Sequence, residues 1–341
     1  MLSARTTAAL VVLGTAGLAL TPLTEPARAD TASLVSCTLS GSTLPAIDTV
    51  IYEKSDGSSA IAKLTGGKIG ISASDFFAGG GDRVRVKTSA GAGGFRIEGW
   101  IDAAKLPVFT SKDVPVVQNH VWIAAQREVS LIAAGSGKLR VKRQVGSPFS
   151  QAFTGWAPCA SLSLSATTPV GWSPAGNARG YVAKKDVELY DSGGEGRSLI
   201  TMLSPDSSSD GILLWSTEKK GAFVHLVHHS DVVIDAWARA SDLKALPKGE
   251  TQDSQPAGTT RRNPPTLKLG GDAKVMVAST DLEIRASASD KGKVIGTLES
   301  GAEVYRLDVV AGWASVLPKA LNVAPHGEDQ SFWVKAKGLT P

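Results

Sequence analysis

Two cysteines and five histidines are the residues of this chain best suited to nucleophilic or metal chemistry. A cysteine nucleophile needs a histidine brought beside it. Cys37 stands near a candidate mature terminus, Cys159 follows Gly155-Trp156-Ala157-Pro158, and neither has a histidine nearby in sequence or a zinc-site spacing. Of His120, His225, His228, His229 and His326, only the middle three cluster. On a strand His225 and His229 share a face while His228 points away, so a metal there needs a ligand from another segment. The plainer reading is a solvated hairpin edge. Acidic residues are scattered through loops with no acid–base pair among them. The expectation is therefore no catalytic centre, no metal and no cofactor. In an oxidising compartment Cys37 and Cys159 are expected to form a disulfide. The alternatives are a buried thiol at Cys159 and a free or lipidated Cys37.

That compartment is suggested by the N-terminus. Arg5 precedes an apolar run from Ala8 to Leu20, and Ala27-Arg28-Ala29 offers small residues at the positions a signal peptidase reads. Residues 1–29 thus read as a signal peptide, cleaved before Asp30. The rival is an uncleaved anchor. Leu34-Val35-Ser36-Cys37 has the look of a lipoprotein box, but Pro22, Glu25, Pro26, Arg28 and Asp30 separate it from the apolar core. No later segment approaches eighteen uninterrupted apolar residues, so the mature chain is not expected to be membrane-embedded. Removing residues 1–29 takes Arg5, Arg28 and Glu25 from 36 basic and 32 acidic residues and leaves a net charge of +3. That excess is too mild and unclustered for nucleic acid, while a pI near 9.0 suits loose attraction to anionic wall polymers.

The elements that must carry these residues repeat. Gly99-Trp100-Ile101 leads to Leu106, Gly155-Trp156-Ala157 to Leu162, Ala236-Trp237-Ala238 to Leu243, and Phe332-Trp333-Val334 to Leu339, each leucine six residues after its tryptophan. Segments of alternating apolar and polar residues precede each copy, among them Arg83-Val84-Arg85-Val86-Lys87 and Lys138-Leu139-Arg140-Val141-Lys142. Period-two alternation between Gly- and Ser-rich turns predicts short half-buried strands. Residues 231–246 also fit an amphipathic helix capped by Ser230 or Asp231, and the alanine-rich run 121–134 is a second place for one. Residues 247–272, with Pro247, Pro256, Pro264 and Pro265, read as a flexible linker in which Arg261-Arg262 is a solvated pair. Small units are expected at 42–108, 112–163, 181–246 and 273–341.

Within 275–339 the pattern resembles the bacterial SH3 (SH3-like) domain family. Leu282-Glu283-Ile284-Arg285 stands where that family has its first strand, followed by Lys293-Val294-Ile295-Gly296-Thr297-Leu298, Gly301, Val304, Gly312-Trp313-Ala314-Ser315-Val316 and the closing Trp333 to Leu339. The departure is an insertion from Leu317 to Gln330. The third unit is similar but more diverged, with Val187-Glu188-Leu189-Tyr190 in place of the first motif; the first offers Thr49-Val50-Ile51-Tyr52. Both lack the arginine. The second retains only its central strand and Gly155-Trp156. The resemblance implies an all-β fold of tandem small SH3-like β-barrels joined by short linkers. So small a barrel buries little surface, so Trp100, Trp156, Trp237 and Trp333 are expected in the cores.

Such domains often accompany cell-wall hydrolases, but no catalytic-sized region remains once four units are assigned. What the resemblance implies is an exported, non-catalytic binding protein whose partner is a cell-wall peptide, a wall glycan or an envelope protein. The alternative is a structural or assembly protein of the envelope whose barrels pack on each other. A ligand groove in the fourth unit would involve Arg285, Tyr305 and Trp313, with the insertion lining or covering it. The competing reading there is a core Trp313 with Arg285 clamping its loop. The fourth unit is also expected to fold alone behind its linker.

Overall fold

The computed structural model describes residues 37–89, 94–146, 149–166, 168, 171–194, 196–202, 214–247, 273–327 and 329–341. The expected signal peptide, 1–29, and nearly all of the expected linker, with Arg261 and Arg262, lie outside the described residues. Twenty-eight strands and five single-turn 3-10 helices make up the regular structure of the rest. The fold is all-β. Among the described residues, no helix is long and apolar enough to cross a membrane.

One pairing order recurs along the chain. In 179–245, Arg179–Ala183, Leu214–Lys220, Phe223–His229 and Val232–Arg239 pair antiparallel in that sequence, and the hairpin Val187–Tyr190/Ser198–Met202 joins through Tyr190 opposite Trp237. In 274–340 the same order runs through Lys274–Ala278, Glu303–Val310, Trp313–Pro318 and Phe332–Lys335, with the hairpin Leu282–Arg285/Val294–Leu298 joined through Arg285 opposite Trp333. In 39–106 it runs through Leu39–Thr43, Ile69–Ser74, Arg83–Ser89 and Phe95–Asp102, with Tyr52 opposite Trp100. In 108–163 the order is Val108–Thr110, Glu128–Gly135, Lys138–Val145 and Gln151–Pro158. Its hairpin, Val114–Val117/Val121–Ile123, lies against Gly155, where a Cβ would come within 2.5 Å of the Pro115 carbonyl oxygen. This second stretch therefore begins at Val108, ahead of 112.

The tryptophan-to-leucine spacing now has a cause. Three residues after each tryptophan the strand turns through a 3-10 helix, at Ala103–Lys105, Cys159–Ser161, Ala240–Asp242 and Ala336–Gly338. The leucine closes that turn and is buried in every copy. The tryptophans are not the core residues expected. Strand alternation puts their neighbours inward, Ile101, Ala157, Ala238 and Val334, and turns the rings outward. Trp100, Trp237 and Trp333 are half-buried, and Trp156 is 43% exposed. The apolar cores are filled instead by aliphatic side chains such as Ile51, Ile71, Leu139, Leu189 and Leu226.

Neither helical alternative forms. Residues 121–134 are the strands Val121–Ile123 and Glu128–Gly135, and 232–239 is a strand paired along its whole length with Phe223–His229. Pairing decides both, because alternate residues Val232, Ile234, Ala236 and Ala238 reach one buried face at period two.

Sheet edges join the stretches in two pairs, the first with the fourth and the second with the third. Phe95–Asp102 of the first pairs with Val294–Leu298 of the fourth, Ile97 opposite Gly296. The Phe95 and Phe332 rings meet behind that joint at 5.4 Å. From the 317–330 insertion, Val323–Ala324 pairs with Ala60–Leu64, while the Thr65 hydroxyl donates to the Leu321 carbonyl at 2.6 Å. The fourth stretch is thus docked on the first, contrary to the expectation of a separate body. Val121–Ile123 of the second pairs with Val232–Ile234 of the third, and Asp231 is held by both Arg127 and Arg143. Cys37 and Cys159 form the expected disulfide between the first and second, with Cα atoms 5.8 Å apart.

Candidate functional site

Arg285 ends the first strand of its hairpin and Trp313 opens the strand that follows Glu303–Val310, so the fold brings these two together. Arg285 donates through Nη1 to the carbonyls of Asp290, at 2.8 Å, and Gly292, at 2.6 Å, and pairs with Glu283 through Nη2. Its guanidinium carbon lies 5.9 Å from the Trp313 ring centroid. The Lys335 ammonium sits 4.0 Å from the same centroid and binds Asp290 at 2.7 Å, a bond that holds the Asp290 carboxyl below its usual range. Trp313 is only 4% exposed. Arg285 therefore clamps the 286–292 loop, and Trp313 is core beneath two cations. Tyr305 stands apart, opposite Val275 and Leu317 and roughly 16 Å along its strand from the Val310 position that faces Trp313. The expected three-residue groove is not assembled, and the insertion that was to line it packs on the first stretch instead.

The same position carries a related contact elsewhere, which sequence reading missed. Tyr52 occupies the place of Arg285, and Arg83 the place of Trp313: the guanidinium carbon is 3.5 Å from the Tyr52 centroid, and Nη1 donates to the carbonyls of Lys54 and Gly57. Cation and aromatic have exchanged strands while the loop clamp is kept. In the third stretch Tyr190 meets Phe223 edge-on at 5.8 Å, with Arg239 at 5.4 Å from the Phe223 ring. The missing arginine of the first motif was visible in sequence; its replacement across the sheet was not. Removing the clamp by Arg285→Ala should cost about 1–3 kcal/mol in chemical denaturation, because two carbonyls and a carboxylate lose a charged donor.

The three clustered histidines are engaged within the fold. Phe223–His229 is an internal strand, paired on both sides, and not the expected hairpin edge. His225 contacts Asp235 through Nε2 and stacks on Trp237 at 4.9 Å. His229 stacks on Trp172 at 4.4 Å, and burial there lowers its pKa below the ordinary histidine value. His228 is buried and bonds to the Ser230 hydroxyl at 2.8 Å. Among the described residues, no cluster of three His, Cys, Asp or Glu side chains has a metal-binding arrangement.

A cleft of about 160 Å³ lies at the joint between the first and fourth stretches. Ile61, Ile295 and Phe332 give it an apolar floor, and Gln330 stands at its side. The Glu53–Lys293 ion pair crosses it, and the lysine's hydrogen bond lowers the Glu53 pKa. The chain's own charges are thus paired with each other at the cleft wall.

No protein-family model matches the sequence, and no curated protein matches it. Among solved structures, the chain is similar over part of its length to NlpC2 and NlpC1 from Trichomonas vaginalis, each at 10% identity and a TM-score of 0.17. The matches cover 49% and 51% of this chain, and 49%, about half the length, of each of those chains. Likeness at that level does not establish a shared fold.

Proposed function

We propose that this is an exported, non-catalytic binding protein in which four SH3-like barrels, joined in two pairs by sheet edges, attach to a cell-wall or envelope component. The observation that carries the reading is the recurring pairing order, with an outward-facing tryptophan at the same place in each copy. The four-strand order of 274–340 is repeated in the other three stretches, including the second, where the motifs are faintest. The disulfide suits an oxidising location and leaves neither cysteine as a nucleophile. His225, His228 and His229 serve as ring and hydrogen-bond partners. Outward aromatic rings offer flat apolar surface with little conformational entropy to lose, which suits sugars and extended peptides.

The second reading, a structural or assembly protein whose barrels pack on each other, is favoured by the sheet-edge joints of the first with the fourth stretch and the second with the third. Sedimentation with purified sacculi separates the two. A wall-binding protein pellets with sacculi and stays in solution alone. An assembly protein stays in the supernatant and gives a defined oligomer by light scattering at low concentration.

A further inference from the structure

From Val129 to Lys185 the sequence contains no Asp or Glu and seven Lys or Arg residues. The fold gathers three of these cations on one surface. Lys138–Val145 alternates strictly at its start, with Leu139 and Val141 buried and Lys138, Arg140 and Lys142 exposed. Register sets Pro158, Trp156 and Thr154 opposite Lys138, Arg140 and Lys142 on one side, and on the other Ser130 opposite Lys142. Trp156, the most exposed of the four repeated tryptophans, lies over Gly135, and Ile132 on the same strand as that glycine is 40% exposed.

The charges on this face are uncompensated. Among the described residues, Lys138, Arg140 and Lys142 have no ion-pair partner; the fourth cation of that strand, Arg143, turns away to Asp231. The corresponding strand of the first stretch shows the contrast: Arg83 pairs with Asp102, and Arg85 with Asp75 and Glu98. Three like charges in a row repel one another, and a native surface that keeps them without counter-charges is complementary to a partner that brings those charges. Successive exposed residues on a strand are about 6.6 Å apart, so the partner is extended and carries negative charge at short regular intervals. The exposed indole beside Arg140 adds a stacking surface for a ring.

We infer that the outer face of 128–158 binds a linear anionic glycan, with Lys138, Arg140 and Lys142 pairing to its acidic groups and Trp156 stacking on a sugar. This rests on the envelope-binding reading for where such a polymer is met, but not for the chemistry. The test uses the full chain with labelled polygalacturonate, and with dextran, a single-stranded oligonucleotide and anionic vesicles as comparators. Polygalacturonate should bind, dextran should not, and added salt should weaken the complex. The variant Lys138→Gln/Arg140→Gln/Lys142→Gln should lose about tenfold in affinity, at the level expected for three exposed charge pairs. Trp156→Ala should lose several-fold, Lys244→Gln nothing, and thermal unfolding should be unchanged; if the triple variant fails to fold, Arg140→Gln alone carries the charge test. Unaltered binding by the charge variants, or tighter binding of oligonucleotide or vesicles than of polygalacturonate, overturns the inference. Equal sedimentation with walls before and after their anionic polymers are stripped would also overturn it, while leaving the wall-binding reading intact.

Discussion

Replacing Cys37 and Cys159 together by serine is expected to lower the stability of the folded chain by about 3–5 kcal/mol, with loss of cooperativity between the first and second stretches. The bond closes a loop of 122 residues that includes nearly all of both stretches. A loop of that length loses much configurational entropy in the unfolded chain when cross-linked. Other connections cross that boundary as well. The Ser42 amide donates to the Ser165 hydroxyl at 2.9 Å, and a Cβ on Gly41 would crowd the Ser165 side chain. Denaturant unfolding of the oxidised protein, the reduced protein and the double serine variant measures the effect. A change under about 1 kcal/mol would mean that the other contacts across this boundary hold the two stretches without the bond.

The second large effect is expected at Gly296. This residue lies opposite Ile97 in the joint between the first and fourth stretches, and a Cβ there would run into the Arg96 carbonyl oxygen. Backbone atoms cannot step aside as a flexible side chain does, so Gly296→Ala must part the two strands. The expected cost is about 1–3 kcal/mol, and more for Gly296→Val. Hydrogen exchange localises it: amides of 95–97 and 296–298 should lose protection, while 138–145 and 223–229 keep theirs. Loss of protection throughout would show instead that the glycine is needed by the fourth stretch itself.

Why this joint was not legible follows from what glycine signals. Inside Val294-Ile295-Gly296-Thr297-Leu298 it fits the resemblance and reads as a weak point in a strand, whereas its use is close approach of a backbone from another part of the chain. Nor does any motif mark Val323–Ala324 as a strand, because its partner, Ala60–Leu64, is more than two hundred residues away in sequence. Local alternation, by contrast, was enough to place strands at Arg83–Ser89 and Lys138–Val145, and the tryptophan-to-leucine spacing marked the four repeats. What alternation left open was parity. In Gly-Trp-Ile either the ring or its neighbours can face inward, and the small residue before the ring proved to be the one pressed against a crossing strand, as at Gly99 and Gly155. Pairing Arg285 with Trp313 was within reach of the sequence; the covering of that ring by Lys335 was not, since it depends on the cross-strand register.

The central claim is that a sheet-joined body without a catalytic constellation holds on to the wall. Its most direct test incubates the full mature chain with purified sacculi and reads two quantities from one sample: the protein that pellets, and the soluble wall fragments released. The account predicts that the protein pellets in a saturable manner and that released amines and reducing sugars stay at the level of the protein-free control. Protein left in the supernatant, or fragments released in proportion to protein added, would contradict it.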